Sequence, residues 1–551
     1  HLCFLLNQKN LTDMKKTVLL LVLTFTFSIL SFAFPGEVLT KFKTPGDYPT
    51  GLTFDGDFLW LSDRKSDLLY KIDPSSGEVV STLPSPGYWP SSLAWDGEYL
   101  WCADIKGGQD VEEDYNGIIY KLDTKDGTVL KTLSAPADSP VGLCYDGEYL
   151  WCIDNRADKV IQFSPKDGTT IRSFIAPSPD CRGLTFDGKF LWTSDRRHDE
   201  IYRVNPETGY VILVTDSPGA YPRDLAFDGE ELWHVDYQTD HIYKLSIKDD
   251  DQFVKMNERK GKVVYTQQIK NFGPGKVKDV DFHLAVPTNR DNQVIDKVEY
   301  SIEPTDFVTD RWGQKTAHYR FKNIKAGETR LVEMTTEATN YDVRYFIFPE
   351  EVGSLDEIPE EITSVYLENN EKFQYDHETI RSAVKKAVGD ETNPYWMVRK
   401  IFNHIIENMY YEMSGGWNTA PTVLERGNGS CSEYTFVFIS MCRSVGIPAR
   451  YVGSVVVRGD NASMDDVFHR WAEVYIPNFG WIPVDGSRGV RDWPRDQAMA
   501  IGHMYNTLLI TTQSGGGSET MEWTYNSNVF WTTEPKTYVN FEHFADWEPY
   551  E

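Results

Sequence analysis

Residues 427–446 read G-N-G-S-C-S-E-Y-T-F-V-F-I-S-M-C-R-S-V-G. Tyr434, Val437, Phe438, Met441 and Val445 recur at three- and four-residue steps, the spacing of a helix with one buried face. Glycines precede Cys431, and Gly446 follows the last apolar residue, where a helix should stop. The stretch therefore predicts a helix that begins at Cys431. A cysteine there lies beside unpaired backbone N–H groups and the positive end of the helix dipole. That setting favours the thiolate, which is the nucleophilic form. Cys442, inside the apolar run, is expected to be a core residue.

Downstream, G-I-P-A-R-Y-V-G-S-V-V-V reads as a turn and a strand. His469 follows in F-H-R-W-A-E-V-Y-I and Asp485 in G-W-I-P-V-D-G, both in short β-like runs. Taken singly, His469 would be a surface histidine at a strand end and Asp485 a turn residue before Gly486. Taken with Cys431 they supply a nucleophile, a base and a group to orient the base.

Four segments carry a family resemblance: G-x-C at 429–431, G-I-P-A-R at 446–450, H-x-W-x-E-V at 469–474 and G-W-x-P-x-D at 480–485. In order and in compact spacing they resemble the transglutaminase-like superfamily of papain-type thiol enzymes, over about the last third of the chain. The resemblance implies an α+β papain-like domain with Cys431 as nucleophile. His469 would be its ion-pair partner and the proton donor to the leaving amine, and Asp485 would hold the imidazole tautomer. It also implies an oxyanion held by the Cys431 backbone N–H and an upstream Trp, Gln or Tyr, for which Trp417 is the candidate and Tyr411 the reserve. Arg450 and Glu473 are expected to be structural, and His404 and His503 carry no assignment.

Upstream of the cysteine helix, from Leu355, the pattern is helical: Pro359 to Leu367, His377 to Val388, and a helix to Met409 opened by Asn393-Pro394 as N-cap and first residue. After Asp485, residues 495–551 read as strands extending the catalytic sheet, with a loop at S-G-G-G-S (514–518). Domain 353–551 is thus assigned as catalytic. Residues 250–260 read as a charged linker, and alternation over 261–350 predicts a β-sandwich, immunoglobulin-like, for a domain at 250–352.

The N-terminal part repeats. L-T-F-D-G-D-F-L-W (52–60), L-A-W-D-G-E-Y-L-W (93–101), L-C-Y-D-G-E-Y-L-W (143–151), L-T-F-D-G-K-F-L-W (184–192) and L-A-F-D-G-E-E-L-W (225–233) are variants of one unit. Trp60, Trp101, Trp151, Trp192 and Trp233 lie 41, 50, 41 and 41 residues apart, the longer step reflecting an insert near 107–116. Asp-Gly between alternating apolar residues is a tight hairpin signal, and four strands per unit of about forty residues is a β-propeller blade. Five units predict five blades over 36–249. The fifth lacks its last strand, and G-E-V-L-T-K-F at 36–42 matches that strand, so the N-terminal strand is expected to complete it. Six blades including 262–269 is the alternative. Each unit carries an Asp three residues after its Trp (63, 104, 154, 195, 236). These are expected to cap turns rather than to ring a cation, and the tryptophans to pack between blades rather than to platform a sugar.

The chain has 551 residues, enough for three or four domains, and its 14% aromatic content suits short strands. The net charge of −28 offers no basic surplus for phosphate backbones, which excludes nucleic-acid binding. Met14-Lys15-Lys16 followed by an apolar run to Ser31 and Ala33 reads as a leader and signal peptide over 1–33, with an uncleaved anchor as runner-up. No other stretch could span a membrane, so a secreted, periplasmic or cell-envelope location in a bacterium is expected. That location permits disulfides among the seven cysteines, whose spacing suggests neither zinc nor a particular pairing.

The expected function is that of an exported thiol acyl-transfer enzyme that hydrolyses amide or peptide bonds through an acyl-thioester, with a protein or peptide substrate. No metal or organic cofactor is expected. The propeller would be a recognition module of unknown ligand. Cross-linking by protein-glutamine gamma-glutamyl transfer is one alternative, and a non-enzymatic envelope-binding protein with a relic triad is another.

Overall fold

The computed structural model describes residues 34–105, 117–249, 251–413, 416–457 and 463–549. The expected leader (1–33) and the insert at 107–116 lie outside the described residues. The chain is mostly β, built of many small antiparallel sheets with few helices.

Each N-terminal repeat folds into a four-stranded antiparallel sheet, and the motif shows why it recurs. In the first unit, Asp55 Oδ1 accepts the backbone N–H groups of Asp57 (3.0 Å) and Phe58 (2.7 Å), while Oδ2 accepts the Trp60 indole N–H at 2.8 Å. Gly56 supplies the positive φ of 103° that the turn needs. Asp96, Asp146, Asp187 and Asp228 repeat the indole bond to Trp101, Trp151, Trp192 and Trp233 at 2.7–2.9 Å. One carboxylate thus builds the hairpin and fixes the buried tryptophan five residues later.

The second repeated Asp closes the next loop. Asp63 accepts the N–H groups of Tyr48 (2.6 Å), Lys65 (3.0 Å) and Ser66 (2.8 Å), and Asp236 those of Tyr221 and Thr239, each at 2.7 Å. The inner strands Pro49–Phe54, Pro90–Trp95, Pro140–Tyr145, Cys181–Phe186 and Pro222–Phe227 each lie against the next, and the fifth lies against the first. In the fifth sheet Val38–Lys43 pairs with His241–Leu245, so the chain's first described strand sits beside its last repeat. Cys102, Cys144, Cys152 and Cys181 are free and buried.

Residues 250–260 are not a linker. Phe253–Gly273 is one 21-residue strand, continuous through that segment because it pairs along its length with Thr329–Tyr345. This strand also contains 262–269, which rules out their use as a sixth repeat. A second correction concerns the C-terminus. Only Leu508–Ser514 joins the sheet that carries His469. Ser527–Thr533 pairs with Val277–Ala285, and Tyr538–Pro549 pairs with Phe253–Gly273. The apolar alternation of these last strands fills the core between the two middle sheets, where Ala545 and Trp547 pack with Tyr265, Phe282 and Met334.

The third part holds the helices Glu360–Tyr366, Glu378–Val388, Pro394–Asn408, Ala420–Arg426, Cys431–Ser444 and Pro494–Ala498. Asn393 caps Pro394–Asn408 by accepting the N–H groups of Tyr395 and Trp396. The cysteine helix is buried on every side, not on one face as its periodicity suggests. Three helices pack on it from one side and the strand His469–Ile476 from the other, so even Ser432, Glu433 and Ser440 are enclosed. Burying Phe436, Val437, Phe438, Ile439 and Met441 stabilises it by roughly 1.5–3 kcal/mol per side chain. The sheet order is Gly480–Val484, His469–Ile476, Ala449–Val456, Leu508–Ser514.

Candidate active site

Gly427, at φ 76°, ends the helix Ala420–Arg426 in the left-handed region. Ser430 then caps the cysteine helix in a reciprocal box with Glu433. Glu433 is fully buried and does more than cap. Its carboxylate accepts from Ser430 N (3.1 Å), Asn418 N (3.1 Å), Asn418 Nδ2 (2.9 Å) and Arg426 (2.9 Å). A Cβ on Gly429 would come within 2.8 Å of Glu433 Cβ, so glycine there permits the approach. The loop before the helix and the start of the helix are thereby held as one piece, and Cys431 is its first helical residue.

His469 is the first residue of its strand, and the backbone before it is strained. Phe468 has φ 60°, a left-handed conformation costly for a bulky side chain. The buried carboxylate of Asp465 holds that turn by accepting the N–H groups of Phe468 (3.0 Å), Val467 (3.3 Å) and Val456 (2.7 Å). Asp485 follows directly on the strand Gly480–Val484, and its own N–H donates to Ala500 O at 2.8 Å.

The structure brings these three residues together. His469 Nε2 lies 2.6 Å from Asp485 Oδ2, and the Cys431 thiol lies beside the same imidazole, close enough for each to shift the other's protonation. Nε2 is committed to Asp485, so Nδ1 is the ring nitrogen left to the sulfur. Asp485 also accepts from Ser487 Oγ at 2.7 Å and pairs with Arg488 Nε at 3.3 Å. Burial would raise the Asp485 pKa, but the His469 charge, the His469 hydrogen bond and Arg488 outweigh it and hold it down at about 2. Burial lowers His469, yet Asp485 and the Cys431 sulfur raise it to about 9. For Cys431 burial raises the thiol, and the hydrogen bond and charge of His469, with the backbone N–H and charge of Arg470, bring it below its ordinary value. Cys442, in the same helix without such partners, is pushed up by burial.

Of the two oxyanion candidates, Trp417 packs beside Tyr525 and Arg470, its ring 6.2 Å from that of Tyr525. Tyr411 instead faces Tyr434, at 6.3 Å. Three neighbours were missed in the sequence. Tyr525 lies close enough to Cys431 and Ser432 for both to shift its hydroxyl, and the absence of a side chain on Gly453 makes room for it. Arg470 is fully buried among Tyr525, Tyr451, Trp417 and Phe436, with its guanidinium 4.3–5.3 Å from their ring centres. The third is Glu433; its S-x-x-E spacing was a readable capping signal, whereas Tyr525 and Arg470 had none. Arg450 pairs with Glu473 at 2.7 Å beneath the sheet, and Arg290 joins them. Among the described residues no group of three His, Cys, Asp or Glu is placed to hold a metal.

A model of the transglutaminase-like superfamily matches residues 381–486, which contain Cys431, His469 and Asp485. Residues 381–486 are a transglutaminase-like domain. The chain is 26% identical over 189 residues to uncharacterized protein YebA of Bacillus subtilis (strain 168), covering 32% of this chain and 24% of that protein. It is 29% identical over 126 residues to an uncharacterized protein of Haemophilus influenzae (strain ATCC 51907 / DSM 11121 / KW20 / Rd), covering 18% and 34%. The matches thus span about a quarter and a third of these relatives' own lengths.

Among solved structures, a protein from Cytophaga hutchinsonii described as a candidate cysteine protease is 17% identical, covers 53% of this chain and 92% of that one, and has a TM-score of 0.39. Glutaminyl cyclase of Myxococcus xanthus is 14% identical over 39% and 97%, with a TM-score of 0.34. Virginiamycin B lyase of Staphylococcus aureus is 19% identical over 36% and 66%, with a TM-score of 0.26. None of these scores bears on function. The transglutaminase-like domain rests on the family match alone.

Proposed function

We propose that the chain is an exported thiol acyl-transfer enzyme that hydrolyses amide or peptide bonds. The observation that carries this reading is the His469 imidazole held by Asp485 at 2.6 Å with the Cys431 thiol, first residue of a buried helix, beside it. The Cys431 sulfur attacks the carbonyl carbon, and the oxyanion formed lies beside the free N–H groups of the helix start, with Trp417 as side-chain donor. The C–N bond breaks as the His469 Nδ1 proton passes to the leaving amine, which leaves an acyl-thioester. Water, deprotonated by His469, attacks the thioester; the acid is released and the thiol restored. Asp485 keeps the imidazole in the right tautomer throughout.

We assign the five sheets as a five-bladed propeller closed by the Val38–Lys43 strand. The two middle sheets are then a β-sandwich of immunoglobulin type. The propeller recruits the target, and binding of the full-length Cys431→Ala chain to a bacterial cell-envelope fraction is its measurement.

The chemistry is tested by mass-spectrometric alkylation of Cys431 with iodoacetamide against pH, in wild type and His469→Ala. Fast labelling well below the free-thiol value of about 8.5, lost with His469, is the expected result. Labelling that rises only near that value and ignores His469 would sink the enzyme reading in favour of a binding protein. Incorporation of a labelled amine into an acceptor protein faster than hydrolysis would reassign the chain to cross-linking.

A further inference from the structure

The five inner strands meet around one axis, and at one mouth of that axis residues of all five repeats line a cup of about 200 Å³. The repeats share what the fold needs, so the positions at which they differ are informative. The second residue of the inner strand is Thr50, Ser91, Val141, Arg182 or Arg223, and the residue after the loop-closing Asp is Arg64, Ile105, Asn155, Arg196 or Tyr237. Four arginines therefore stand at positions where other repeats carry small, polar or apolar residues. All four point into the cup, in a chain whose net charge is −28.

Their charges are only partly neutralised in place, with one carboxylate shared by two of the four. Asp180 pairs with both Arg182 (2.8 Å) and Arg196 (2.7 Å). Among the described residues Arg64 and Arg223 have no carboxylate partner. The Arg64 guanidinium lies over Trp89, 3.2 Å from the ring centre, and that of Arg223 sits 5.0–5.5 Å from the rings of Tyr48, Tyr221 and Tyr237. Arg223 donates to Tyr48 OH at 3.2 Å, and its buried Nε has no partner. Stacking on aromatic faces fixes a guanidinium plane while leaving its edge free to donate in a fork. Burial and the neighbouring Arg196 and Arg223 charges pull Arg182 below its usual range, against Asp180.

The floor is closed. Asp224, fully buried on the axis, accepts from Leu52 N (2.8 Å), Leu184 N (3.0 Å) and Ser92 Oγ (2.7 Å), and Gly183 leaves it the room. Burial pushes this carboxyl up to about 8, which weakens the negative charge beneath the arginines at lower pH.

We infer that this axial cup is a binding site for a small, multiply charged oxyanion, a phosphate or polycarboxylate group, held by Arg64, Arg182, Arg196 and Arg223. A cup of about 200 Å³ has room for a small head-group. The inference deepens the recognition role given to the ring and rests on that reading. It is independent of the thiol chemistry.

The test is isothermal titration of the full-length chain, at low ionic strength, with inorganic phosphate and separately with citrate. One-to-one binding of either anion, weakening as salt rises and at least about tenfold weaker in Arg64→Gln and Arg223→Gln, supports the site and names its class. No binding of either anion at millimolar concentration, or binding unchanged in both variants, overturns it. Cys431 alkylation at the wild-type rate shows that the variants fold. Should Arg223→Gln fail to fold, Arg64→Gln at the rim carries the test. The envelope-binding measurement is separate, so failure of the cup and failure of the recognition role are told apart.

Discussion

At the scale of single residues the site is a set of opposed charges in a buried place. In the proposed mechanism Asp485 holds a proton on His469, and that proton stabilises the Cys431 thiolate. Acyl transfer by this pair needs the thiolate and the imidazolium together, so activity should rise with pH through the lowered Cys431 value and fall through about 9, where His469 loses its proton. In Asp485→Asn the carboxylate that raised His469 is gone. The alkaline limb should then move down toward the ordinary histidine value of about 6.5, narrowing the active window; a pH–rate profile of kcat/KM shows it. Arg470 acts on the same sulfur from the other side. It donates to Trp523 O at 2.5 Å, and two of its nitrogens have no partner. Arg470→Met should slow Cys431 alkylation at pH 6 by roughly three- to tenfold while His469 remains on Asp485. An unchanged rate would make Arg470 a packing residue only. Cys431, His469 and Asp485 could be singled out in the sequence only as a set, through the order and compact spacing of the four segments that carry them. Arg470 and Tyr525 could not, since what matters about them is contact across the fold, and one looks like any strand residue and the other like any loop tyrosine.

At the scale of elements the decisive piece is the loop-and-helix clamp around Glu433. Replacing this buried carboxylate with four donors is costly, because Arg426 would lose its counter-charge and keep only the Asn428 carbonyl. Glu433→Gln should cost about 2–4 kcal/mol in urea unfolding, and it should also loosen the 416–419 segment that presents Trp417. Ser430→Ala removes one capping bond and should cost only about 1 kcal/mol. Periodicity located this helix but gave it the wrong surroundings. Three- and four-residue spacing marks one apolar face, whereas the enclosure of Ser432, Glu433 and Ser440 comes from neighbours that local pattern cannot reveal. The same limit explains the long strand from Phe253. Its first residues carry charges because they lie exposed or half-buried on a paired strand, with a bulge at Asn257–Glu258, and they read as a linker when the partner Thr329–Tyr345 is unseen. Asp-Gly did announce its hairpins, but the second carboxylate oxygen on the tryptophan became visible only in three dimensions.

At the scale of the whole molecule, the ring supports the segment that carries Asp485. The short helix Pro494–Ala498 lies against the fourth repeat: Arg495 N donates to Pro177 O at 3.1 Å, and its guanidinium grips Glu200 with two bonds of 2.8 and 2.7 Å. Glu200 also accepts from Tyr202 and lies 3.8 Å from Arg344 of the middle sheets, so one buried carboxylate joins all three parts of the chain. Ala500, just beyond that helix, accepts the Asp485 N–H. A disturbance at Glu200 therefore has a short path to the imidazole. Arg495→Met strands a buried carboxylate, which should cost about 2–4 kcal/mol and slow Cys431 alkylation at neutral pH while Cys442 stays protected. Adding Glu200→Leu removes the stranded charge, so the double variant should recover much of the stability. If alkylation recovers with it, the slow labelling reflected the stranded charge. If stability returns and the labelling stays slow, the specific grip of the ring on this helix is what holds Asp485 against His469.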